Sequence, residues 1–233
     1  MRVGVIGAME EEVDLLRSKM DIIEETMLAT CEFTLGKLNG VEVILAKSGI
    51  GKVNAAVSTT LMNQLYHPEY IVNTGSAGGL DQTLAVGDVV VSDEVRYNDV
   101  DATAFGYEFG QVPRMPAMFT PDEQLIQIAK KGAEEAGMAM AQGLIISGDS
   151  FMSDHERVEG LKKIFNKPQC AEMEAGAIAQ VCYQFEVPFV IIRSLSDIAG
   201  KDALMSYEEF LETAGVNSAN MVMAMLEEMR NSM

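Results

Sequence analysis

Runs of valine and isoleucine alternate with segments of helical periodicity along the chain, and this alternation limits the fold more than any other feature. The apolar runs lie at residues 2–7, 41–47, 70–74, 86–95, 142–147 and 188–195. The helical patterns lie at residues 9–20, 52–66, 121–137, 173–185 and 206–229. Such alternation is typical of a largely parallel sheet covered on both faces by helices. We therefore predict one α/β domain.

One long segment, residues 98–124, shows neither helical nor strand periodicity. It carries six large apolar side chains, Phe105, Tyr107, Phe109, Met115, Met118 and Phe119. Loops of this length in compact domains are usually functional or ordered by contact. An aromatic loop in water would be an exposed apolar patch, so we favour a homodimer interface. The alternative is packing within its own subunit.

The acidic charge makes two classes of partner poor candidates. A formal net charge of −18 repels phosphate backbones and anionic lipid headgroups, so we expect neither nucleic acid nor a membrane as a partner. Cys31, Cys170 and Cys182 form neither a paired framework nor a CxxC motif, which favours a reducing compartment. The N-terminus lacks a signal-peptide core, and no stretch approaches the roughly 18 apolar residues of a membrane span. We expect a cytoplasmic protein.

Two glycine-rich turns differ in what they can bind. "SGIGKVNAA" (48–56) lacks the spacing of a phosphate-binding P-loop, and Val53 stands where a serine or threonine would hold magnesium. "VNTGSAGGL" (72–80) follows a predicted strand and offers clustered backbone N–H groups plus the Ser76 hydroxyl, which suit hydroxyls or an anion. A nucleoside triphosphate site is therefore not indicated.

Neither histidine indicates a catalytic site. His67 precedes a proline after a helical pattern, and His155 lies in the charged stretch "SDHERVEG". Both are expected at the surface, which weakens the metal and Ser-His-Asp interpretations. We expect no metal and no cofactor.

The first helical pattern places an acid on its apolar side. If the helix begins at Met9, Glu12 shares a stripe with Val13, Leu16 and Met20. Acids in a first helical turn also complement the helix dipole, which is the alternative explanation. We predict that Glu12 points inward.

A second acid lies on the apolar face of the helix predicted in "CAEMEAGAIAQ" (170–180). Glu174 is four residues before Ile178 and therefore on the predicted buried face. By the same helical spacing Glu172 falls on a more polar side. Glu174 alone is predicted to be a buried carboxylate.

The stretch "VIIRSLSDIAG" supplies a third acid and a cation. Arg193 lies in the predicted strand, and Asp197 lies just past its carboxyl end. A period of two places both on one side, and open α/β sheets bind ligands beyond the carboxyl ends of strands. An ion pair between the two is the alternative.

Together these charges favour one kind of chemistry. Glu12, Glu174 and Asp197 with Arg193 sum to a charge of about −2, which favours a transition state that develops positive charge. Cleavage of a glycosidic bond develops that charge on the sugar and uses one carboxyl as acid and another as base. From residues alone, a glycosyl-bond hydrolase is the furthest inference.

Six motifs in order resemble one known family over essentially the whole chain. They are "GVIGAMEEEV", "SGIGKVNAA", "NTGSAGGL", "SGDSFM", "AEMEAGAIAQ" and "RSLSDIAG". The chain is similar to the 5′-methylthioadenosine/S-adenosylhomocysteine nucleosidases of the purine nucleoside phosphorylase-like superfamily. The resemblance implies a single domain over residues 1–233, with three layers and a mixed, mostly parallel central sheet flanked by helices.

The resemblance also implies roles for the charged residues. Asp197 would protonate N7 of adenine, and Glu12 would activate the attacking water, which Arg193 and Ser76 help to hold. Glu174 would bind the ribose hydroxyls. The implied reaction is hydrolysis of 5′-methylthioadenosine, S-adenosylhomocysteine and 5′-deoxyadenosine to adenine and the sugar, within methionine salvage and the recycling of S-adenosylmethionine by-products.

The remaining substrate contacts follow from the same resemblance. Phe151 would stack on adenine, the Met152 backbone would bind the edge of the base, and Ser196 would lie in the same site. The sugar and its 5′ substituent would contact Met9, Ile50, Met173 and Tyr207. A homodimer partner would add Ala102, Phe105 and Pro113 from the 98–118 loop. Many members carry phenylalanine and a bulkier aliphatic residue at the positions of Tyr207 and Ala102, so the preferred 5′ substituent does not follow.

Three alternatives remain open. A nucleoside phosphorylase would use phosphate, which the carboxylate of Glu12 would repel. A non-catalytic nucleoside-binding protein would need the cavity but not an acid and a base. A broader nucleosidase would also accept 6-amino-6-deoxyfutalosine.

Overall fold

The computed structural model of the chain describes residues 1–200 and 203–232. Within these residues ten strands form one sheet. They are β1 (Arg2–Gly7), β2 (Asp21–Leu28), β3 (Cys31–Leu38), β4 (Val41–Lys47), β5 (Tyr70–Asn73), β6 (Ser76–Gly79), β7 (Val89–Tyr97), β8 (Met140–Ser147), β9 (Cys170–Glu172) and β10 (Phe189–Ile198). Six helices accompany them: α1 (Glu10–Lys19), α2 (Lys52–Tyr66), α3 (Glu123–Glu135), α4 (His155–Ile164), α5 (Ala175–Phe185) and α6 (Ala203–Ser232).

The sheet is mixed but mostly parallel, as predicted. Its order is β2-β3-β4-β1-β5-β10-β6-β9-β8-β7, and β7 also pairs with β10, so that five strands close into a ring. Six of the ten strand pairings are parallel. The carboxyl ends of β1, β4, β5 and β10 therefore meet at one edge, where open α/β sheets bind ligands.

Helices cover both faces of the sheet and form the predicted three layers. Valines of β1 pack on one face against apolar residues of α1, α3 and α6. Ile6, the next residue of β1, packs on the other face against α2 and α5. This alternation is the period of two expected of a buried strand. Both faces of β1 are therefore buried in apolar packing, so polar site residues follow the strand and do not lie on it.

The methionine stripe of α6 belongs to the core. Met221, Met225 and Met229 are each 0% exposed and pack with α1 and α3. Methionine fills irregular gaps between helices well, which suits this position. The stripe therefore has a packing role.

Four strands and one helix were not predicted. The side chains of β2 are exposed along nearly its whole length, although it includes Ile22 and Ile23, so it shows no buried face to detect. The strands β6 and β9 have four and three residues, too few to show a period. The charged stretch at His155 begins α4, whose cap is the side chain of Asp154.

The 98–124 segment is largely irregular, as predicted. A 3₁₀ turn at Thr103–Phe105 and a bridge between Val95 and Phe119 are its regular features before α3 begins. Phe119 is 3% exposed and packs in its own subunit, which supports the alternative interpretation for that residue. Phe105 is 84% exposed. The two aromatic residues therefore have opposite surroundings.

Among the described residues, no helix combines the length and apolarity needed to cross a membrane, and this includes the long α6.

Candidate active site

A cavity of about 470 Å³ opens at the carboxyl edge of the sheet. Its walls come from the start of α1, the segment before α2, β6, the segment after β8, β9 with the two residues that follow it, the end of β10 and the start of α6. The lining residues are Ala8, Met9, Glu12, Ile50, Ser76, Ala77, Gly78, Ser150, Phe151, Met152, Ala171, Glu172, Met173, Glu174, Ser196, Asp197, Leu204 and Tyr207. Four acids, Glu12, Glu172, Glu174 and Asp197, are buried there, and we call them the cavity carboxylates.

Glu12 is fixed by four donors. Its Oε2 accepts hydrogen bonds from the backbone N–H groups of Ala8 (2.7 Å) and Met9 (3.3 Å). Its Oε1 accepts from the backbone N–H (2.9 Å) and hydroxyl (3.1 Å) of Ser76. Glu12 is 2% exposed, so the predicted inward orientation is correct. The anion held by the glycine-rich turn is therefore the protein's own carboxylate.

Gly75 permits this arrangement. Its φ of +153° is a conformation that favours glycine, and a side chain there would collide with Arg193 and the Glu12 carboxylate. The sharp turn between β5 and β6 therefore depends on a missing side chain. It brings Ser76 within hydrogen-bond distance of Glu12.

The prediction for Glu172 was wrong. This residue ends β9 and does not belong to α5, so helical spacing does not describe where it points. Its side chain is 2% exposed and forms an ion pair with Arg193. Its Oε2 also accepts hydrogen bonds from the backbone N–H groups of Glu174 (2.9 Å) and Ala175 (2.8 Å). Glu172 is thus a second buried glutamate beside Glu174.

Glu174 is buried as predicted, at 5% exposure. Its Oε1 accepts a hydrogen bond from the Gly51 N–H (2.8 Å), and its Oε2 lies 3.4 Å from a guanidinium nitrogen of Arg193. Burial first, and then the negative charge of Glu172, raise the pKa of Glu174 to about 8, while Arg193 opposes the shift. Its position before α5 therefore does not fully offset desolvation.

Arg193 lies beneath the cavity and is 0% exposed. Besides Glu172 and Glu174, its guanidinium donates to the Asn73 side chain (2.7 Å) and to the carbonyl of Ser76 (3.4 Å). The alternative of an ion pair with Asp197 does not occur among the described contacts. A register shift in β10 falls between Leu195 and Asp197, so Arg193 and Asp197 do not follow a simple period of two.

Asp197 lines the cavity near the end of β10 and is 2% exposed. The Ser196 hydroxyl donates to its Oδ1 at 2.9 Å. Burial raises the pKa of Asp197 to about 6, although the hydrogen bond from Ser196 opposes the shift. The carboxyl can therefore hold a proton close to neutral pH and still lose it readily, as a general acid must.

The apolar lining includes the predicted aromatic residues. Phe151 is 40% exposed, and its ring lies 5.4 Å from that of Tyr207 in an edge-on arrangement. The Tyr207 hydroxyl donates to the sulfur of Met9 at 3.4 Å. Ile50, Met152 and Met173 also line the cavity. The three residues expected from a partner, Ala102, Phe105 and Pro113, do not line it.

Other expectations concern surface groups and metals. His67 and His155 are both exposed, as predicted. Over residues 1–200 and 203–232, no group of three or more histidine, cysteine or acidic side chains is arranged to hold a metal ion. The acids of the cavity are instead held by N–H and O–H donors and by Arg193.

Comparisons with known proteins place the chain in a family. A family model described as the phosphorylase superfamily matches residues 2–227. The chain therefore belongs to that superfamily, which agrees with its mixed α/β fold and its cavity. A protein of Halalkalibacterium halodurans named 5′-methylthioadenosine/S-adenosylhomocysteine nucleosidase is 64% identical over 225 residues, 97% of each chain. Within the superfamily, the chain belongs to this family of nucleosidases.

Solved structures show the same likeness. The 5′-methylthioadenosine/S-adenosylhomocysteine nucleosidase of Neisseria meningitidis, in complex with methylthio-immucillin-A, is 48% identical with a TM-score of 0.95, over 97% of this chain and 98% of that one. The futalosine hydrolase of Helicobacter pylori is 34% identical with a TM-score of 0.93, over 98% of both chains. The family resemblance and the nucleoside phosphorylase-like fold are therefore confirmed.

Proposed function

We propose that the chain is a hydrolase that cleaves the N-glycosidic bond of 5′-methylthioadenosine and S-adenosylhomocysteine, and also that of 5′-deoxyadenosine, to give adenine and the sugar. One observation carries this proposal: the anchored carboxylate of Glu12 and the buried carboxyl of Asp197 face one cavity. An acid and a base at one site are what glycosidic hydrolysis requires. The names of the relatives support the choice of substrate.

Asp197 acts on the base. With a pKa raised to about 6, it can donate a proton to N7 of adenine as the bond to the sugar breaks. A protonated adenine leaves more readily because it no longer departs as an anion. Phe151, on the open side of the cavity, stacks on the adenine ring.

Glu12 acts on the water. Its carboxylate cannot rotate freely because both oxygens already accept hydrogen bonds. A water placed beside it loses a proton to the carboxylate while its oxygen attacks the sugar. Ser76 holds the carboxylate of Glu12 directly, and Arg193 holds the turn that carries Ser76.

Glu174 acts on the sugar. In the free site its raised pKa leaves it mostly protonated at neutral pH. A positive charge nearby favours the ionised form of a carboxyl group. The ionised form of Glu174 is therefore the one that stabilises the cationic sugar, and its carboxylate accepts hydrogen bonds from the ribose hydroxyls.

Water is favoured over phosphate as the nucleophile. The cavity carboxylates are four acids, and the cation beside them, Arg193, is already shared by Glu172 and Glu174. A phosphate dianion would enter this field without a free positive partner, and like charges at short distance repel strongly. A phosphorylase is therefore the weaker alternative.

A homodimer completes the site in this proposal. Phe105 at 84% and Val53 at 74% exposure are large apolar side chains in water, and they lie on the 98–118 loop and on α2. Exposed apolar surface of this kind marks interfaces. The loop would reach the partner's cavity, which Ala102 and Pro113 would help to close.

The proposed reaction also indicates a metabolic role and a cellular compartment. All three proposed substrates are by-products of reactions that use S-adenosylmethionine, so we place the chain in methionine salvage and by-product recycling. The three cysteines are free thiols, which suits a reducing cytoplasm.

The test is incubation of the purified protein with 5′-methylthioadenosine, with and without phosphate. We expect free adenine and methylthioribose in both cases. A phosphate requirement with a sugar phosphate product would identify a phosphorylase instead. Binding without adenine release would identify a non-catalytic binding protein.

A second substrate deserves the same assay. The futalosine hydrolase of Helicobacter pylori shares the fold over nearly its full length. A site for adenine and ribose would also fit 6-amino-6-deoxyfutalosine. Adenine release from that compound would show a broader nucleosidase.

A further inference from the structure

Glu172 lies among the cavity carboxylates, yet the proposed chemistry does not use it. Its Oε2 accepts hydrogen bonds from the backbone N–H groups of Glu174 and Ala175 and pairs with Arg193. Three donors on one oxygen is a demanding arrangement. It connects a strand, a helix and the buried cation.

The first connection is to the backbone of Glu174. That residue is the N-cap of α5, but its own side chain makes no capping hydrogen bond. Glu172 supplies the acceptor instead, for two N–H groups at the start of the helix. Helix N-terminal N–H groups need such partners, and a negative charge there is stabilised. Glu172 thus fixes the point from which the Glu174 side chain projects.

The second connection is to the turn that carries Ser76. Arg193 donates to the carbonyl groups of Thr74 (3.5 Å) and Ser76 (3.4 Å). Ser76 in turn donates twice to Glu12. The position of Glu12 therefore depends on Glu172 through Arg193 and this turn.

The other oxygen of Glu172 is buried and has no hydrogen-bond partner in the part of the chain that the structure describes. A buried polar atom without a partner lowers stability. Packing alone therefore does not account for an acid at this position. A role in the site does, because the side chain also faces the cavity.

We propose that Glu172 is a positioning residue for the hydrolysis, which orients Glu174 directly and Glu12 through Arg193. This inference rests on the proposed function. It adds a residue that touches neither the water nor the base in that mechanism.

The titratable and charged groups around Glu174 come from four elements. Glu12 on α1, Glu172 on β9 and Arg193 on β10 act on its pKa, and the neutral hydroxyl of Tyr207 on α6 lies near it. Burial contributes most to its raised pKa, and the negative charge of Glu172 comes second. Removal of the Glu172 charge therefore lowers the pKa of Glu174.

The test is the steady-state kinetics of Glu172→Gln with 5′-methylthioadenosine across pH. Only enzyme with Asp197 protonated and Glu174 ionised is active, and the population of this form across pH gives a bell-shaped kcat/KM profile. The acid flank lies near the pKa of Asp197, at pH 6, and the alkaline flank lies near the pKa of Glu174, at pH 8. We expect kcat to fall roughly tenfold or more, as when a hydrogen bond to a charged group is lost. We also expect the alkaline flank to move to lower pH.

A matched control separates position from general destabilisation. Glu228 is also a buried, ion-paired glutamate, but it does not line the cavity. Glu228→Gln should keep wild-type kcat and both flanks. A lower Tm for Glu172→Gln with unchanged kcat and an unchanged flank would mark a structural residue and overturn the proposal.

A second variant separates charge from geometry. Glu172→Asp keeps the charge but withdraws the carboxylate by one methylene, so kcat should fall while the alkaline flank stays near pH 8. If Glu172→Gln does not fold, a folded Glu172→Asp protein with wild-type kcat overturns the proposal. If the wild-type protein releases no adenine, the proposed function itself fails. If it does release adenine, a failed prediction for the Glu172 variants contradicts only the role of Glu172.

Discussion

Glu228 and Glu172 are both buried and both ion-paired, yet their surroundings differ. Glu228 on α6 is paired with Lys131, whose side chain is 56% exposed. Glu172 is paired with Arg193, whose side chain is 1% exposed. Water reaches the cation of the first pair and not that of the second.

This difference changes how the acids of each region titrate. The hydrogen bond from Lys131 lowers the pKa of Glu228, as in an ordinary structural ion pair. At the cavity one arginine is shared by two glutamates, and burial raises the pKa of both Glu174 and Asp197. Perturbed acids in a cleft are characteristic of functional sites. The two regions therefore differ in their cation: at the cavity it is buried and shared by two acids, whereas at Glu228 it is exposed to water and paired with that acid.

The largest expected effect is on turnover. Asp197→Asn and Glu12→Gln should each lower the rate of adenine release by about 100-fold or more, since each removes a proton-transfer group. Glu228→Gln should leave the rate unchanged. Steady-state assays with 5′-methylthioadenosine check this, and equal losses in all three variants would erase the distinction between the two regions.

The next largest effect is on stability. Because the folded pKa of Asp197 is above the ordinary 3.8, its ionisation destabilises the fold as the pH rises through about 6. Asp197→Asn should therefore raise the free energy of unfolding at pH 8 by up to about 3 kcal/mol. Urea unfolding at several pH values measures this.

The size of that stability effect depends on pH. The gain should shrink as the pH falls from 6 toward 4, where the wild-type carboxyl is protonated in both states. A gain of the same size at every pH would show that burial of the charge is not its cause.

A smaller effect is expected from an uncharged group in the same cavity. Tyr207→Phe removes a hydroxyl whose partner is the sulfur of Met9, a weak acceptor. The kcat/KM for 5′-methylthioadenosine should change by less than about threefold. A loss as large as that of Asp197→Asn would mean that the cavity depends on more than its acids.

The smallest effect is expected at the other pair. Glu228→Gln should lower stability slightly at neutral pH, because the folded pKa of Glu228 is depressed and its ionised form is favoured. That contribution is present above the unfolded pKa and is lost as the pH falls through the folded pKa. Thermal unfolding at pH 7 and at lower pH checks the direction. A more stable variant at pH 7 would contradict it.

The sequence predicts long, periodic elements well. The Val and Ile run at 188–195 became the first and larger part of β10, and the stripe through Glu12, Val13 and Leu16 became the buried face of α1. These elements bury one face or both, so hydrophobic periodicity carries the information. Glu12 and Glu174 were found because each interrupts an apolar helix face, and Asp197 because it follows the carboxyl end of a predicted strand.

Hydrophobic periodicity does not predict short elements and sharp turns. Glu172 was misplaced because β9 has three residues, and helical spacing was extended back across the strand–helix junction. The contact between Arg193 and Glu172 joins two strands that are distant in sequence. Nothing in the local pattern around either residue indicates the other.

The measurement that tests the account most directly is the titration of the Asp197 carboxyl in the free protein. Carbon NMR of labelled aspartate, assigned with Asp197→Asn, follows that group alone. Burial in the cavity predicts half-protonation near pH 6. A midpoint at the ordinary value near 3.8 would contradict the claim that the cavity keeps an acid ready to protonate the leaving base.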